Sequence, residues 1–243
     1  MMISVCLTSH NGEKYIKQQV DSILCQLAPE DEVVISDDGS TDNTLSILSE
    51  YNDSRIKIFN FKQTGKSKHS HWFVTKNFEN ALDHAIGDVI FLSDQDDYWL
   101  PNKVEVCLQE LQSCDLVVHN LRITDGELND RGKNMFEKGF AFGNYLMKEG
   151  SYFGCSMAFN RRILDVSLPF PRKLLVHDIW IGLIAEIIGK VHYIEEPLIL
   201  YRVREESISH AVRNSLWFKI EYRFYTLMQI VKRVLTIQLH LRK

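Results

Sequence analysis

Apolar and polar positions alternate with two different periods along the first half of the chain. Short runs rich in Val and Ile predict strands, and the segments between them carry apolar residues every three or four positions, which predicts amphipathic helices. The predicted strands cover residues 3–7, 32–36, 55–59, 88–92 and 116–118, and the predicted helices pass through 15–24, 45–48, 73–85 and 104–111. Strands and helices in alternation indicate βαβ units, and therefore a mainly parallel α/β sheet with helices on both faces.

The second half of the chain is less regular. Residues 120–150 mix glycine, asparagine and charge, which predicts a short hairpin and loops. A helix is predicted over 177–188, and two strands, over 191–194 and 198–201, flank Pro197. A chain of 243 residues is long enough for one large α/β domain and short for two. We predict a single domain over 1–211, with halves 1–119 and 120–211, followed by a helical tail over 212–243.

An acidic cluster directly follows the predicted strand 88–92. Residues 94–97 read Asp-Gln-Asp-Asp, so three carboxylates that repel one another lie within four positions. One interpretation is an acidic, solvated turn. The other is a divalent cation site, because Mg²⁺ and Mn²⁺ prefer carboxylate oxygens and keep coordination positions open for phosphate. The position favours the cation site, since ligands of open α/β sheets bind just beyond the carboxyl ends of the strands.

Two other polar clusters follow predicted strands in the same way. Thr8 and Ser9 come after the first strand, and Asp37 and Asp38 come after the second. Either cluster alone could be a helix cap or a turn. In a parallel sheet, however, all three strand ends lie on one edge, so we expect the clusters to meet in one crevice. Carboxylates there suit a nucleobase imide or ribose hydroxyls, and a cation at residues 94–97 would neutralise phosphates.

Charge and cysteine usage narrow the compartment and the partners. The net charge of −4 argues against a general nucleic-acid binder, which would need a basic surface. Five scattered cysteines without a C-x-x-C pair predict neither a zinc site nor a disulfide framework. The first residues lack the pattern of a signal peptide, and no run of 18 apolar residues occurs. We therefore expect a cytoplasmic protein.

Five stretches together resemble the family-2 inverting glycosyltransferases with a GT-A fold, over about residues 3–207. They read SVCLTSHNG at 4–12, ISDDGSTD at 35–42, GDVIFLSDQDD at 87–97, VHDIW at 176–180 and YR at 201–202. The pair of motifs Asp-Gln-Asp-Asp-x-Trp and His-Asp-x-Trp is most similar to the rhamnosyltransferase-like branch. That branch builds bacterial surface polysaccharides such as O-antigen and capsule.

The resemblance implies inverting transfer of a sugar, with rhamnose as one candidate, from a UDP- or dTDP-sugar to a saccharide or lipid-linked saccharide hydroxyl. By the resemblance, Asp178 is the general base, and Asp96, with Asp94, holds Mn²⁺ or Mg²⁺. The half 1–119 binds the donor and the half 120–211 forms the acceptor side. The nucleotide-binding residues implied are Thr8, Ser9, Asp37, Asp38, Lys66 and Asp94.

One departure from the family pattern concerns the segment after the last strand. Related sequences often read Tyr-Arg-x-His, whereas this chain has Arg204 in place of the histidine. Arginine pairs with a diphosphate but does not ligate a metal as neutral imidazole does. The resemblance therefore assigns diphosphate binding to Arg202 and Arg204.

Two other functions remain as alternatives. A sugar nucleotidyltransferase would carry a glycine-rich phosphate loop after the first strand, where this chain has Ser-His-Asn-Gly at 9–12. A non-catalytic subunit that binds nucleotide-sugars would satisfy most of the same motifs, and only measured transfer or donor hydrolysis separates it from an enzyme.

The tail is basic in a chain that is otherwise acidic, with seven Lys or Arg and one Glu from residue 212 onward. Placed on a helix, its apolar residues share one side and its basic residues the other. The apolar side carries Trp217, Ile220, Phe224, Leu227, Val231, Val234 and Leu241, and the other side carries Lys219, Arg223, Arg233 and His240. The helix either docks on the domain or on a second subunit, or it lies at an anionic cytoplasmic membrane.

Overall fold

The computed structural model describes residues 1–62, 67, 69–136, 152–203 and 215–241. Two of the predicted site residues, Lys66 and Arg204, lie outside the described residues, as does the second part of the loop region predicted over 120–150. Side chains within α7 are described from 217 to 236, so those of His240 and Leu241 lie outside that range.

Nine strands and seven α-helices are present in this part of the chain. The strands are β1 (Ile3–Ser9), β2 (Glu32–Asp37), β3 (Ile56–Asn60), β4 (Val89–Asp94), β5 (Tyr98–Trp99), β6 (Leu116–Thr124), β7 (Asp130–Asn134), β8 (Met157–Asn160) and β9 (Val191–Arg202). The helices are α1 (Ile16–Leu24), α2 (Thr44–Ser49), α3 (Ser70–His84), α4 (Lys103–Glu110), α5 (Arg161–Ser167), α6 (His177–Ile188) and α7 (Leu216–Leu241). A short 3-10 turn, Gly154–Ser156, precedes β8.

All nine strands belong to one mixed sheet. Its order is β3-β2-β1-β4-β8-β6-β9-β5, with β7 paired to β6 as a hairpin. The strands β3, β2, β1 and β4 run parallel, as predicted, whereas β8 lies antiparallel between β4 and β6. The two strands predicted around Pro197 form the single strand β9, whose register against β6 shifts near that residue. The predicted α/β fold with a mainly parallel sheet and helices on both faces is confirmed.

Alternating residues of the central strands pack into two apolar layers, one on each face of the sheet. In β1, Val5 and Leu7 face the layer that contains α1 residues such as Val20, whereas Cys6 faces the layer that contains Phe78 of α3 and Trp180 of α6. Period-2 alternation with both faces covered makes these strands apolar throughout. The sheet is therefore a rigid platform whose edge carries the loops between strands and helices.

The tail helix α7 is present and packs against the half 120–211. The backbone N–H of Leu175 donates to the Tyr222 hydroxyl at 2.7 Å, and the Arg233 guanidinium donates to the carbonyl of Leu168 at 2.6 Å. Thr226 and Ile230 are buried in this contact. Arg233, predicted on the outward polar side, is thus on the docked side. In the described part of the chain, no helix has both the length and the apolar character that a membrane span requires.

Candidate active site

The sheet register brings the three polar clusters to one edge, as the sequence predicts. Thr8 of β1 lies opposite Asp94 of β4, and Ser9 lies opposite Asp37 of β2. Parallel strands end together, so side chains that follow them are neighbours in space although they are up to 86 positions apart, as Thr8 and Asp94 are. This edge is the floor of the candidate site.

Asp37 organises the turn that follows β2. Its buried carboxylate accepts hydrogen bonds from the Ser9 hydroxyl at 2.7 Å and from the Ser40 backbone N–H at 2.8 Å. Gly39 has a φ of +68°, which glycine adopts without strain, so the chain can reverse there. The turn presents Asp38, whose backbone N–H is held by the Ser9 carbonyl at 2.9 Å. The structure gives Asp37 a positioning role, and a direct contact with nucleotide stays a prediction.

Gln95 joins the acidic loop to the loop after β1, a role that sequence reasoning missed. Its side-chain oxygen accepts from the His10 N–H at 2.8 Å, and its amide nitrogen donates to the His10 carbonyl at 3.0 Å. A Cβ added to Gly12 would lie 2.3 Å from the Gln95 side-chain oxygen, so a larger residue there would push the Gln95 amide out of its hydrogen bonds with His10. The sequence did hold a signal for this role, because Gln95 is the one amide among three carboxylates. An amide can donate and accept hydrogen bonds at once, which a carboxylate cannot.

Arg202 holds the acidic loop from the other side. Its guanidinium donates to the Asp96 carbonyl and the Gly126 carbonyl, each at 2.7 Å, and also to the Gln18 side chain. The group lies over the Tyr15 ring, and the residue is 4% exposed. These contacts give Arg202 a positioning role that the sequence did not predict. Its predicted contact with a diphosphate stays a prediction.

Residues suited to a divalent cation converge next to this loop. Ligand atoms of Asp94, Asp97 and Cys155 all lie within 4.8 Å of one another. Asp97 is buried, and its Oδ2 atom has no hydrogen-bond partner among the described residues. Burial, with Asp96 and Asp94 close by, raises the pKa of the Asp97 carboxyl well above its ordinary value. An orphaned buried carboxylate oxygen beside a second carboxylate fits a hard cation, for which the thiol is a poor ligand.

The structure places the predicted metal residues differently within this loop. Asp94 belongs to the converging group, whereas the group does not include Asp96. Asp97, which the sequence analysis did not assign to the metal, belongs to it instead. Direct ligation by Asp96 stays a prediction.

A buried lysine lies beneath the acidic loop and was also missed. The Lys103 ammonium donates to the Cys155 carbonyl at 2.8 Å and sits 3.9 Å from the centre of the Trp99 ring. Burial lowers its pKa to about 8, against the attraction of Asp97 and Asp94. The signal in the sequence was a lysine on an otherwise apolar face of the predicted helix. The Lys103 ammonium offsets part of the negative charge of Asp97 and Asp94.

One cavity of about 480 Å³ is lined by residues of both halves of the domain. Asp94 and Asp178 both line it, together with Cys155 and Tyr201. The tail helix contributes Phe218, Lys219, Tyr222 and Arg223 to the wall of this cavity. Sequence reasoning treated the tail as separate from the site. Its amphipathic pattern holds no signal of that contribution, which depends on how α7 docks.

Asp178 is the second residue of α6, at the positive end of that helix. Its carboxylate accepts from the Ile179 N–H at 2.7 Å and from the Gly154 N–H. Burial nevertheless raises its pKa to about 6, because desolvation outweighs these N–H donors. A carboxylate with this pKa is ionised at neutral pH and is a stronger base than an ordinary aspartate.

His177, the neighbour of Asp178, is a packing residue. It is 7% exposed and stacks on the Phe78 ring at a centroid distance of 4.1 Å. Burial lowers its pKa to about 3, so the imidazole is neutral. A neutral, buried ring fixes the start of α6 and thereby the direction of Asp178.

The comparisons with known proteins identify the family. The model of the family "Glycosyl transferase family 2" matches residues 4–167, which contain the first three motifs and the acidic loop. This chain is a member of glycosyltransferase family 2. The predicted family is confirmed.

Two curated relatives extend over most of this family-2 chain. It is 27% identical over 221 residues to an uncharacterized glycosyltransferase of Nostoc sp., and the match covers 84% of this chain and 65% of that protein. It is 27% identical over 229 residues to the dTDP-rhamnosyl transferase RfbG of Shigella flexneri, with 89% of this chain and 77% of the relative covered. The chain thus spans less than two thirds of the length of the Nostoc relative.

Solved structures share the fold. S. aureus TarS in complex with UDP-GlcNAc superposes with a TM-score of 0.71 at 20% identity, covering 97% of this chain and 67% of that one. Glucosyl-3-phosphoglycerate synthase of Mycobacterium tuberculosis, in complex with Mn²⁺, UDP and phosphoglyceric acid, gives a TM-score of 0.56 at 19% identity, with 96% and 78% covered. At these identities the likeness shows the fold, which is the predicted GT-A fold.

Proposed function

We propose that this family-2 protein transfers a sugar from a nucleoside diphosphate-sugar to a saccharide hydroxyl, with inversion at the anomeric carbon, in bacterial surface polysaccharide synthesis. The observation that carries the proposal is the single cavity of about 480 Å³ that Asp94 and Asp178 both line. The cavity joins the sheet edge at Asp94, which suits a nucleotide, to the carboxylate of Asp178, which suits a general base for an acceptor hydroxyl.

The donor side is formed by the half 1–119. Thr8 and Asp38 are the proposed partners of the base and ribose, and Ser9 and Asp37 support the turn between them. The proposal is supported by the register of the two strands and by the Ser9–Asp37 hydrogen bond. Lys66 belongs to the same proposal from sequence. Uracil and thymine both present an imide, so UDP- and dTDP-sugars are the candidates. Rhamnose is the first sugar to test, because the Shigella relative is named a dTDP-rhamnosyl transferase.

A divalent cation belongs to the donor side of the proposal. Asp94 and Asp96 are the proposed ligands, and Asp97 offers a further oxygen through its unpaired Oδ2 atom. Mn²⁺ or Mg²⁺ would neutralise the charge of the departing diphosphate. The Mycobacterium tuberculosis synthase, which shares the fold, is described as a complex with Mn²⁺ and UDP. Arg204 and Arg202 are both proposed partners of the diphosphate. Arg202 also holds the acidic loop through the Asp96 carbonyl.

Asp178 acts as the general base on the acceptor side, formed by residues 120–211. Its carboxylate takes the proton of the acceptor hydroxyl while that oxygen attacks the anomeric carbon. The bond from the anomeric carbon to the diphosphate oxygen breaks, and its electron pair leaves with the nucleoside diphosphate. Attack opposite the leaving group is a single displacement, so the configuration inverts. The Gly154 and Ile179 N–H groups fix the direction of the carboxylate.

The first experiment identifies the donor. Thermal unfolding of the purified protein is measured with a panel of UDP- and dTDP-sugars, each with and without Mn²⁺. A donor well above its dissociation constant is expected to stabilise the fold by about 3–4 kcal/mol. Release of pyrophosphate from a nucleoside triphosphate would instead identify a nucleotidyltransferase. Donor binding without transfer or hydrolysis would identify a binding subunit.

A further inference from the structure

The helix α7 leaves one apolar face uncovered by the described part of the chain. Side chains spaced three or four positions apart form a stripe about 27 Å long, at 1.5 Å per residue. Their exposed fractions are Trp217 81%, Ile220 49%, Phe224 66%, Met228 43%, Val231 53% and Leu235 53%. Scattered apolar side chains are normal on a protein surface, but a contiguous patch marks an interaction site. We call these six side chains the α7 stripe.

The α7 stripe is the outer face of a helix that is already docked. The opposite edge is bound to the domain through Tyr222 and Arg233, and Ile230 is 4% exposed. The Arg233 guanidinium also lies over the Trp180 ring, at 5.5 Å from its centre. Because this edge is anchored, the α7 stripe points away from the domain in a fixed direction.

Basic side chains surround the α7 stripe in a chain whose net charge is −4. Lys232 lies beside the stripe on one flank of the helix and Arg223 on the other, and Glu221 is an acidic exception on the flank of Lys232. Arg172 and Lys173 are exposed on the adjacent loop, where they line a second cavity of about 420 Å³ together with Tyr222 and Tyr225. An apolar stripe with a basic rim is complementary to an anionic lipid surface, where acyl chains and phosphates lie side by side.

The same helix borders the catalytic cavity. Lys219 and Arg223 line that cavity with Phe218, as Asp178 does. None of these α7 residues belongs to the stripe, so one helix carries both the stripe and part of the cavity wall.

We propose that α7 docks this protein on an anionic membrane surface through the α7 stripe, and so holds the cavity that the same helix borders close to a lipid-linked saccharide acceptor. The choice of acceptor rests on the proposed function, whereas the docking does not. Lys219 and Arg223 then lie where the phosphate groups of such an acceptor enter, since both side chains pair with phosphate. Trp217 enters the interface at one end of the stripe, as aromatic side chains do at membrane boundaries.

The test is flotation of the full chain with vesicles of phosphatidylcholine, with and without phosphatidylglycerol. The protein is expected to float with the mixed vesicles and to be released by salt. The double variant Phe224→Ser/Val231→Ser should weaken binding about tenfold or more, since both apolar side chains lose their contact with the acyl region. The matched control is Ile86→Ser/Ile187→Ser, which removes two apolar side chains exposed elsewhere, and it should bind as wild type.

A spectroscopic readout places the stripe in the interface. Trp99 and Trp180 are buried and Trp72 is partly buried, so Trp217, at 81% exposed, should give most of the blue shift of fluorescence on adding mixed vesicles. Most of the shift should vanish in Trp217→Phe while flotation persists. Flotation of the wild type with neither vesicle, or equal flotation of wild type and the stripe variant, would overturn the proposal. So would a wild-type dimer that the stripe variant converts to monomer, because the stripe would then join two copies of this chain.

Donor hydrolysis separates failure of this proposal from failure of the proposed function. No stripe residue lines the cavity, so Phe224→Ser/Val231→Ser should hydrolyse its UDP- or dTDP-sugar at the wild-type rate. Normal hydrolysis without vesicle binding would overturn the docking alone. Vesicle binding by a protein that neither binds nor hydrolyses any nucleotide-sugar would overturn the proposed function alone.

Discussion

At the scale of single residues, Asp178 shows how burial prepares a base. Two backbone N–H groups stabilise its ionised form, yet burial dominates and raises its pKa to about 6. We expect log kcat/KM for transfer to fall with unit slope below about pH 6, because the base is lost on protonation. A pH–rate profile from pH 5 to 8 measures this. A profile that stays flat down to pH 5 would remove Asp178 from the rate-determining proton transfer.

The same pKa makes Asp178 a cost to the fold at neutral pH. A carboxyl whose pKa is raised on folding adds stability below its unfolded pKa, and this contribution is lost as pH rises through the folded pKa. Asp178→Asn should therefore gain stability relative to wild type between pH 4 and pH 8, on the order of 1–2 kcal/mol. Urea unfolding at both pH values measures it. An unchanged difference would mean that the carboxylate is not desolvated.

Gly12 offers a residue-scale test of the Gln95 contact. A Cβ at Gly12 would press on the Gln95 side chain, so Gly12→Ala should displace the acidic loop and cost about 1–3 kcal/mol of stability, with loss of donor binding. Gly126→Ala is the matched control, because its Cβ would meet only the Tyr15 hydroxyl at 4.0 Å. Equal behaviour of the two variants in unfolding and donor titrations would show that the Gln95–His10 hydrogen bonds do not position the site.

At the scale of elements, Arg202 links the end of β9 to the acidic loop after β4. The three acceptors bond to three different nitrogens of the Arg202 guanidinium, and the single nitrogen of a lysine cannot contact all of them. Arg202→Lys should therefore lose about 1.5–3 kcal/mol of stability together with donor affinity. Arg162→Lys, at a 61%-exposed side chain, serves as control in the same thermal and donor-binding measurements. Lost donor affinity with unchanged stability would instead assign the guanidinium to the diphosphate.

The acidic loop itself is tested by Mn²⁺ titration in the presence of UDP. Asp96→Asn should weaken Mn²⁺ binding by about tenfold or more while leaving apo stability equal or higher, because one of several repelling carboxylates is removed. Asp165→Asn, on an exposed part of α5, should bind as wild type. Normal binding by Asp96→Asn with loss in Asp97→Asn would place the cation on the buried side of the loop, where ligand atoms of Asp94 and Asp97 converge.

Elements with strong local signals were predictable, and those set by long-range packing were not. The apolar runs of β1, β2 and β4, and the helix over 177–188, follow from periodicity because both faces of each strand and one face of the helix are buried. Four residues of β8 give no such pattern, and its antiparallel insertion between β4 and β6 depends on the whole sheet. The contacts of Gln95, Lys103 and Arg202 depend on it too.

At the scale of the whole molecule, one cavity is lined by Asp94 at the edge of the sheet, by Asp178 and by residues of the tail helix. The tail shows the limit of pattern reasoning, since its periodicity predicts a helix but not which side docks. Tyr222 and Arg233 dock, and most of the predicted apolar side faces outward. Asp178 lines this cavity and is the residue on which the proposed transfer depends.

The most direct test is transfer by Asp178→Asn with the donor that the thermal panel identifies. Asparagine keeps the shape, and its amide oxygen can still accept the Ile179 N–H bond, but it cannot take a proton. Folding and donor binding should therefore survive while transfer falls about 10²–10⁴-fold. Asp165→Asn should transfer at the wild-type rate. Asp178→Asn enzyme that transfers sugar at more than about a tenth of the wild-type rate would contradict the account, since even weak general-base catalysis exceeds that factor.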